Sequence, residues 1–244
     1  AELLDAEAKK TLNRMEALKA EAERAGSAGE LRERENALAA YLELNPHDED
    51  AKKALEETRG RMDDEAWAKA LRSSEDREGK ADFRGALEAL RDYEAAHPKG
   101  AHAAEALERR ERSERLLRLD ERRLGRLRAA DFEGAAETIG QMSQSGMPEA
   151  LARRLLSENA REQEKCRQAL EHARKFAAEK RLKAAVSEWK EILSAWPMSE
   201  PMKAEAARAT EAEAKAKALT KVAQDHLAAR RLSQALKAAR MAME

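Results

Sequence analysis

Apolar residues recur at helical spacing along most of this chain, and the recurrence itself repeats. In "ADFRGALEALRDYEAAHP", residues 81–98, Phe83, Ala86, Leu90 and Tyr93 fall on one face of a helix. "ADFEGAAETIGQMSQSGMP", residues 130–148, repeats the arrangement with Phe132, Ala135, Ile139 and Met142. Taking Ala86 as an anchor, its equivalents are Arg34, Ala135, Ala185 and Ala235, at intervals of 52, 49, 50 and 50 residues. A period of this size is the mark of stacked supersecondary units.

The register holds on both sides of the anchor. Three residues before it stand Leu31, Phe83, Phe132, Leu182 and Leu232; four after it stand Leu38, Leu90, Ile139, Trp189 and Ala239. Seven after it come Tyr41, Tyr93, Met142, Ile192 and Ala242. Pro46, Pro98 and Pro197 follow at twelve, and the third unit slips by one to Pro148. A proline there ends the short helix, because it pushes the preceding residue out of the α region. Upstream, Met15, Trp67, Leu116, Cys166 and Ala216 stand nineteen before the anchor. Ala22, Ser74, Arg123, Ala173 and Ala223 stand twelve before, small in four units of five so that a neighbouring helix can approach.

Each unit is therefore predicted to be a long helix, a tight turn and a short helix. Long helices are expected near 2–24, 48–78, 99–128, 148–178 and 199–228, with short ones near 30–44, 82–96, 131–144, 181–195 and from 231. Asp48 and Ser199 are candidate N-caps. The array divides into units at about 1–46, 47–98, 99–147, 148–197 and 198–244, with no Pro-, Gly- or Ser-rich linker between them.

The second-helix features of "DFRGALEALRDYEAAHP" (Phe83, the small Ala86 at the crossing, the bulky Leu90, then Pro98) resemble the tetratricopeptide repeat. The resemblance covers most of the chain in five copies. It departs from the family in period, about 50 residues rather than about 34, the excess falling in the first helix of each unit. Arg34 also stands where the family pattern has alanine. The resemblance implies an all-α, right-handed solenoid of antiparallel hairpins that binds peptides or proteins in a groove.

Composition narrows the function. Charged residues make up 39% of the 244 and aromatics 3%, which suits thin helical layers packed through alanine better than one round core. Lys and Arg (47) balance Asp and Glu (48), so no global field draws the chain to nucleic acid or an anionic membrane. No run approaches the roughly 18 apolar residues of a membrane helix. No signal peptide is apparent, which makes a cytoplasmic location the expectation. The lone Cys166 lies in the apolar register, as core rather than nucleophile. His47, His97, His102, His172 and His226 show no zinc-helix spacing, and no phosphate loop, dinucleotide fingerprint or nucleophile elbow occurs. No catalytic residue, metal site or cofactor is therefore expected.

Three features are candidates for partner binding. "ERRERSERLLRLDERRLGRLR" holds nine arginines against five acids. Arg112, Arg115, Arg118 and Arg122 form a patch for an acidic protein. Glu108, Glu111 and Glu114, each four residues before an arginine, offer i,i+4 pairing instead. The lack of interleaved aromatics disfavours nucleic acid. Trp67 and Trp189 read as core, whereas Trp196, just before Pro197, reads as a surface anchor. Leu232, Leu236, Met241 and Met243 on the last short helix form an apolar face, open either because the array was cut from a longer one or because the chain self-associates there. The expectation is a non-catalytic scaffold binding a protein or peptide. Its alternatives are a regulatory or oligomerisation segment of a larger enzyme and a self-assembling rod.

Overall fold

The same template is written into the backbone hydrogen bonds of five turns. The N–H groups of Glu30, Asp82, Asp131, Arg181 and Arg231 each donate to the carbonyl five residues back, at 2.9 Å every time. In four of these turns the preceding residue is left-handed: Gly29, Ala81, Ala130 and Lys180, with φ between 58° and 77°. This is the Schellman closure of a helix C-terminus. At Asp82 and Asp131 the closing residue at once caps the next helix, its carboxylate accepting from the N–H of Gly85 or Gly134 at 3.0 and 2.9 Å. One residue thus ends a long helix and starts a short one. A Cβ at Gly85 or Gly134 would collide with that capping carboxylate.

The computed structural model describes the backbone of residues 2–229 and 231–243 and the side chains of 7–229 and 231–242. Among these are ten helices: α1 (Glu2–Ala28), α2 (Leu31–Leu44), α3 (Glu49–Gly79), α4 (Phe83–Ala96), α5 (Ala103–Arg128), α6 (Phe132–Gln144), α7 (Glu149–Ala178), α8 (Leu182–Ala195), α9 (Glu200–Ala228) and α10 (Leu232–Met243). No strand occurs among the described residues. The alternation of long and short helices follows the sequence expectation closely. Among the described residues no helix is long and apolar enough to cross a membrane.

The chain forms two compact units, residues 1–114 and 115–244, dividing within α5. In the first, α1 packs on α2, α2 on α3, and α3 on α4. Leu38, Tyr41, Leu90, Tyr93 and Trp67 are buried there at their expected register positions. Arg34, the residue at odds with the template, lies against Gly26, whose missing Cβ leaves it room. In the second unit α6 packs on α7, α7 on α8, α8 on α9, and α9 on α10. Cys166, Ala173, Val186, Trp189, Ile192 and Trp196 share one apolar cluster with Phe132. Arg123 occupies a position that is otherwise small and is buried, its guanidinium held on Asp120 at 2.7 Å.

Four local details refine the sequence reading. The first long helix continues to Ala28 rather than ending near 24, so Gly26 and Ser27 sit inside it. The fifth begins at Ala103 rather than 99 because Asp63 captures the loop before it. That buried carboxylate accepts from Ala101 N–H and Tyr93 O–H, both at 2.7 Å, and sits 3.0 Å from His97 Nδ1. The one-residue slip to Pro148 reflects an extra Schellman closure at the end of α6, with Gly146 at φ 91° and Met147 N–H on the Met142 carbonyl. Finally, Asp48 caps α3 as expected, accepting from Ala51 N–H, but the buried Ser199 makes no side-chain cap at α9.

Candidate protein-interaction site

The second unit carries an open groove of about 1160 Å³, lined by the end of α7, the α7–α8 turn, the start of α8, the middle of α9 and the end of α10. On α9 the lining residues fall at helical spacing, and alanine dominates: Ala209, Ala212 and Ala216, followed by Leu219. The groove has a cause in the template. The hairpin α3–α4 carries Trp67, Leu90 and Tyr93 at three key positions, and α7–α8 carries Cys166, Trp189 and Ile192. In α9–α10 the corresponding residues are Ala216, Ala239 and Ala242, and both Ala216 and Ala242 line the groove. Methyl groups leave unfilled the space that larger side chains occupy elsewhere.

The rim is basic. Among the described residues, Arg174, Lys180, Arg181, Lys183, Arg208 and Lys215 face the groove against a single carboxylate, Glu205. That acid is already engaged, accepting from Arg174 Nε and Nη2 at 3.1 and 2.8 Å. The bidentate contact holds the Glu205 carboxyl below the usual carboxylate range, with Arg208 adding its field. Arg181 is fixed over the Phe176 ring at 4.3 Å and pairs with Glu179 at 3.3 Å. Lys183 and Lys215 are exposed and carry no carboxylate partner among the described residues. The start of α8 adds partial positive charge, because Arg181 in the N-cap position makes no side-chain cap.

The residues singled out from sequence divide sharply. Met241 lines the groove and is 49% exposed. Leu232 and Leu236 are 67% and 58% exposed, so the apolar face of α10 is open as expected; the Met243 side chain lies outside the described residues. Trp196 is a correction: it is buried, 7% exposed, and meets Phe132 edge-on with ring centroids 6.4 Å apart. It stands at the C-terminal end of α8, and the chain turn there directs the indole into the core rather than to solvent.

The arginine patch is also corrected in part. Arg112 is bound to the buried Glu78, whose other oxygen accepts from Ser113 Oγ at 2.8 Å. Arg110 pairs with Glu94 and Arg91 with Glu114, so the charges link neighbouring helices. The expected pairs Glu108–Arg112, Glu111–Arg115 and Glu114–Arg118 are not among those formed. Arg115, Arg118 and Arg122, in the second unit, are exposed without an ion-pair partner among the described residues.

Two further groups bear on chemistry. In the first unit Trp67 stacks on His102 and Tyr93 on His97, the Trp67 and Tyr93 rings meeting at a tilt, beside Asp63 and Asp64, with His102 Nε2 at 2.9 Å from Asp64. Burial, then the adjoining Asp63 carboxylate, pushes the Tyr93 phenol above its ordinary range. This cluster holds the loop before α5. Cys166 is buried, and burial raises its thiol above the ordinary value, which disfavours the nucleophilic thiolate. Among the described residues no group of three or more His, Cys, Asp and Glu side chains is placed to hold a metal ion.

Comparison with protein-family models, with curated proteins and with solved structures gave no match to this chain.

Proposed function

We propose that the chain is a non-catalytic interaction scaffold of tetratricopeptide-like hairpins, binding a protein or peptide partner at the groove of the second unit. The observation that carries this reading is charge segregation. A chain with a net charge of −1 gathers, among the described residues, six cationic side chains and one already paired carboxylate around a floor rich in alanine. Concave sites with an apolar floor and a few fixed polar groups are where ligands bind. The tetratricopeptide-like reading is supported by the shared turn and by the repeated register of buried positions, complete in the second and third hairpins and relaxed in the last. A cytoplasmic setting belongs to the same reading.

Peptide display tests it. A random library is selected against the intact chain, then counter-screened against Ala212→Trp. Ala212 is exposed, so the indole fills the groove without entering the core. The expected result is enrichment of peptides that bind the wild type and not the filled variant. Failure to enrich any groove-dependent peptide contradicts the proposal.

A second reading draws on the exposed Leu232 and Leu236. Self-association through α10 would cover them. Light scattering across concentration tests it: a mass that rises in the wild type and falls back in Leu232→Ser/Leu236→Ser supports it, and a constant monomer mass removes it.

A further inference from the structure

We infer that the groove's occupant is an acidic amphipathic helix, an inference that rests on the interaction reading above. Three observations converge on it. The first is charge complementarity. Among the described residues Lys183 and Lys215 have no acid of their own, and the one lining carboxylate is taken by Arg174, so the site can satisfy carboxylates brought by a partner.

The second is the start of α8. Asp82 and Asp131 cap the equivalent helices α4 and α6 with carboxylates, but α8 has Arg181 in that position and no side-chain cap. Its first turn borders the groove at Arg181, Leu182, Lys183 and Ala184. A partner's carboxylate would take the place of the missing aspartate.

The third is the character of the walls. They are helices, so among the described residues no strand edge is offered to an extended peptide, and an occupant that satisfies its own backbone is favoured. A helix does so, and the row Ala209, Ala212 and Ala216 lets one approach closely with its apolar stripe against Leu219 and Met241. Nucleic acid would meet alanine and leucine methyls where it needs stacking faces, since Trp189 is buried.

Fluorescence anisotropy with designed probes tests the inference. The first probe is a helical peptide of about 20 residues with leucines at i, i+3, i+4 and i+7 and glutamates flanking them. The second replaces each glutamate with lysine, the third replaces each leucine with serine, and the fourth is a single-stranded polyuridine. The acidic amphipathic peptide is expected to bind, with the second and third at least about tenfold weaker. Lys183→Glu combined with Lys215→Glu should weaken the first probe about tenfold or more, and Ala212→Trp should abolish its binding. Circular dichroism confirms that the variants keep their helix content.

The inference is overturned if the acidic peptide does not bind, if the lysine peptide binds as well, or if polyuridine competes equally. A dimer of the chain itself that Ala212→Trp dissociates would overturn it too, by naming a second copy as the occupant. If another peptide binds and is lost in Ala212→Trp, the chemistry of the occupant is wrong while the interaction reading survives. Both fail together only when no groove-dependent peptide is found.

Discussion

Arg112 and Arg118 lie on the same helix and look interchangeable in sequence, yet their removal has different consequences. Arg112 compensates Glu78, which is 2% exposed, so Arg112→Ala leaves a carboxylate buried without its cation. The expected loss is about 2 kcal/mol, reduced from the full buried-pair value because the arginine is itself partly exposed. Arg118→Ala should change stability by less than about 0.5 kcal/mol. Chemical denaturation of the two variants checks the difference. Asp48 supplies a pH-dependent case. Its carboxyl is held below the ordinary range by the Tyr41 hydroxyl and by the Ala51 N–H it caps. A depressed carboxyl contributes stability above its unfolded value, and the contribution is lost as pH falls through the folded one. The gap between wild type and Asp48→Ala should therefore be full at neutral pH and close as pH drops below about 4. Equal gaps at both extremes would show that Asp48 acts without its charge. These residue-scale roles were poorly legible in the sequence. Spacing shows which charges share a helix face, but it does not show that Glu78 is buried or that Trp196 turns inward.

Elements were far more legible, because the hydrophobic register of a helical hairpin is local and each copy reinforces the others. Phe83 and Phe132, Leu90 and Ile139, Tyr93 and Met142 are all buried, as their spacing requires. What the register did not reveal is backbone: the left-handed residue that closes each of four turns is glycine in only one. Gly29 there is free of steric neighbours, so Gly29→Ala introduces left-handed strain alone. It should destabilise by about 1 kcal/mol. Ala81 bears that strain already at φ 63°, and Ala81→Gly should stabilise by about 0.5 kcal/mol, relief exceeding glycine's extra chain entropy. Opposite signs in thermal melts are the expected outcome; the same sign would mean that the turns are not equivalent. The delayed start of α5 was hidden for a related reason. It depends on Asp63, 38 residues before Ala101, and tertiary capture of a loop leaves no local signal.

At the scale of the molecule, the template explains stability and its relaxation explains the candidate site. Both units follow the same scheme of long and short helices, and the groove opens where alanine replaces the larger residues of the other hairpins. Its signal was present in the sequence: Ala216 aligns with Met15, Trp67, Leu116 and Cys166. It was illegible because a missing side chain reads as close packing as readily as it reads as space. The basic rim was missed for another reason: Lys180, Arg181 and Lys183 stand together in sequence, but Arg174, Arg208 and Lys215 join them only through the packing of the helices. Lysine footprinting tests the central claim most directly. The intact chain is acetylated with and without a groove-selected peptide, and modification is read by mass spectrometry. Lys183 and Lys215 are expected to lose reactivity when the peptide binds, while the exposed Lys80 in the first unit keeps its own. Unchanged acetylation of Lys183 and Lys215 under saturating peptide would contradict the account.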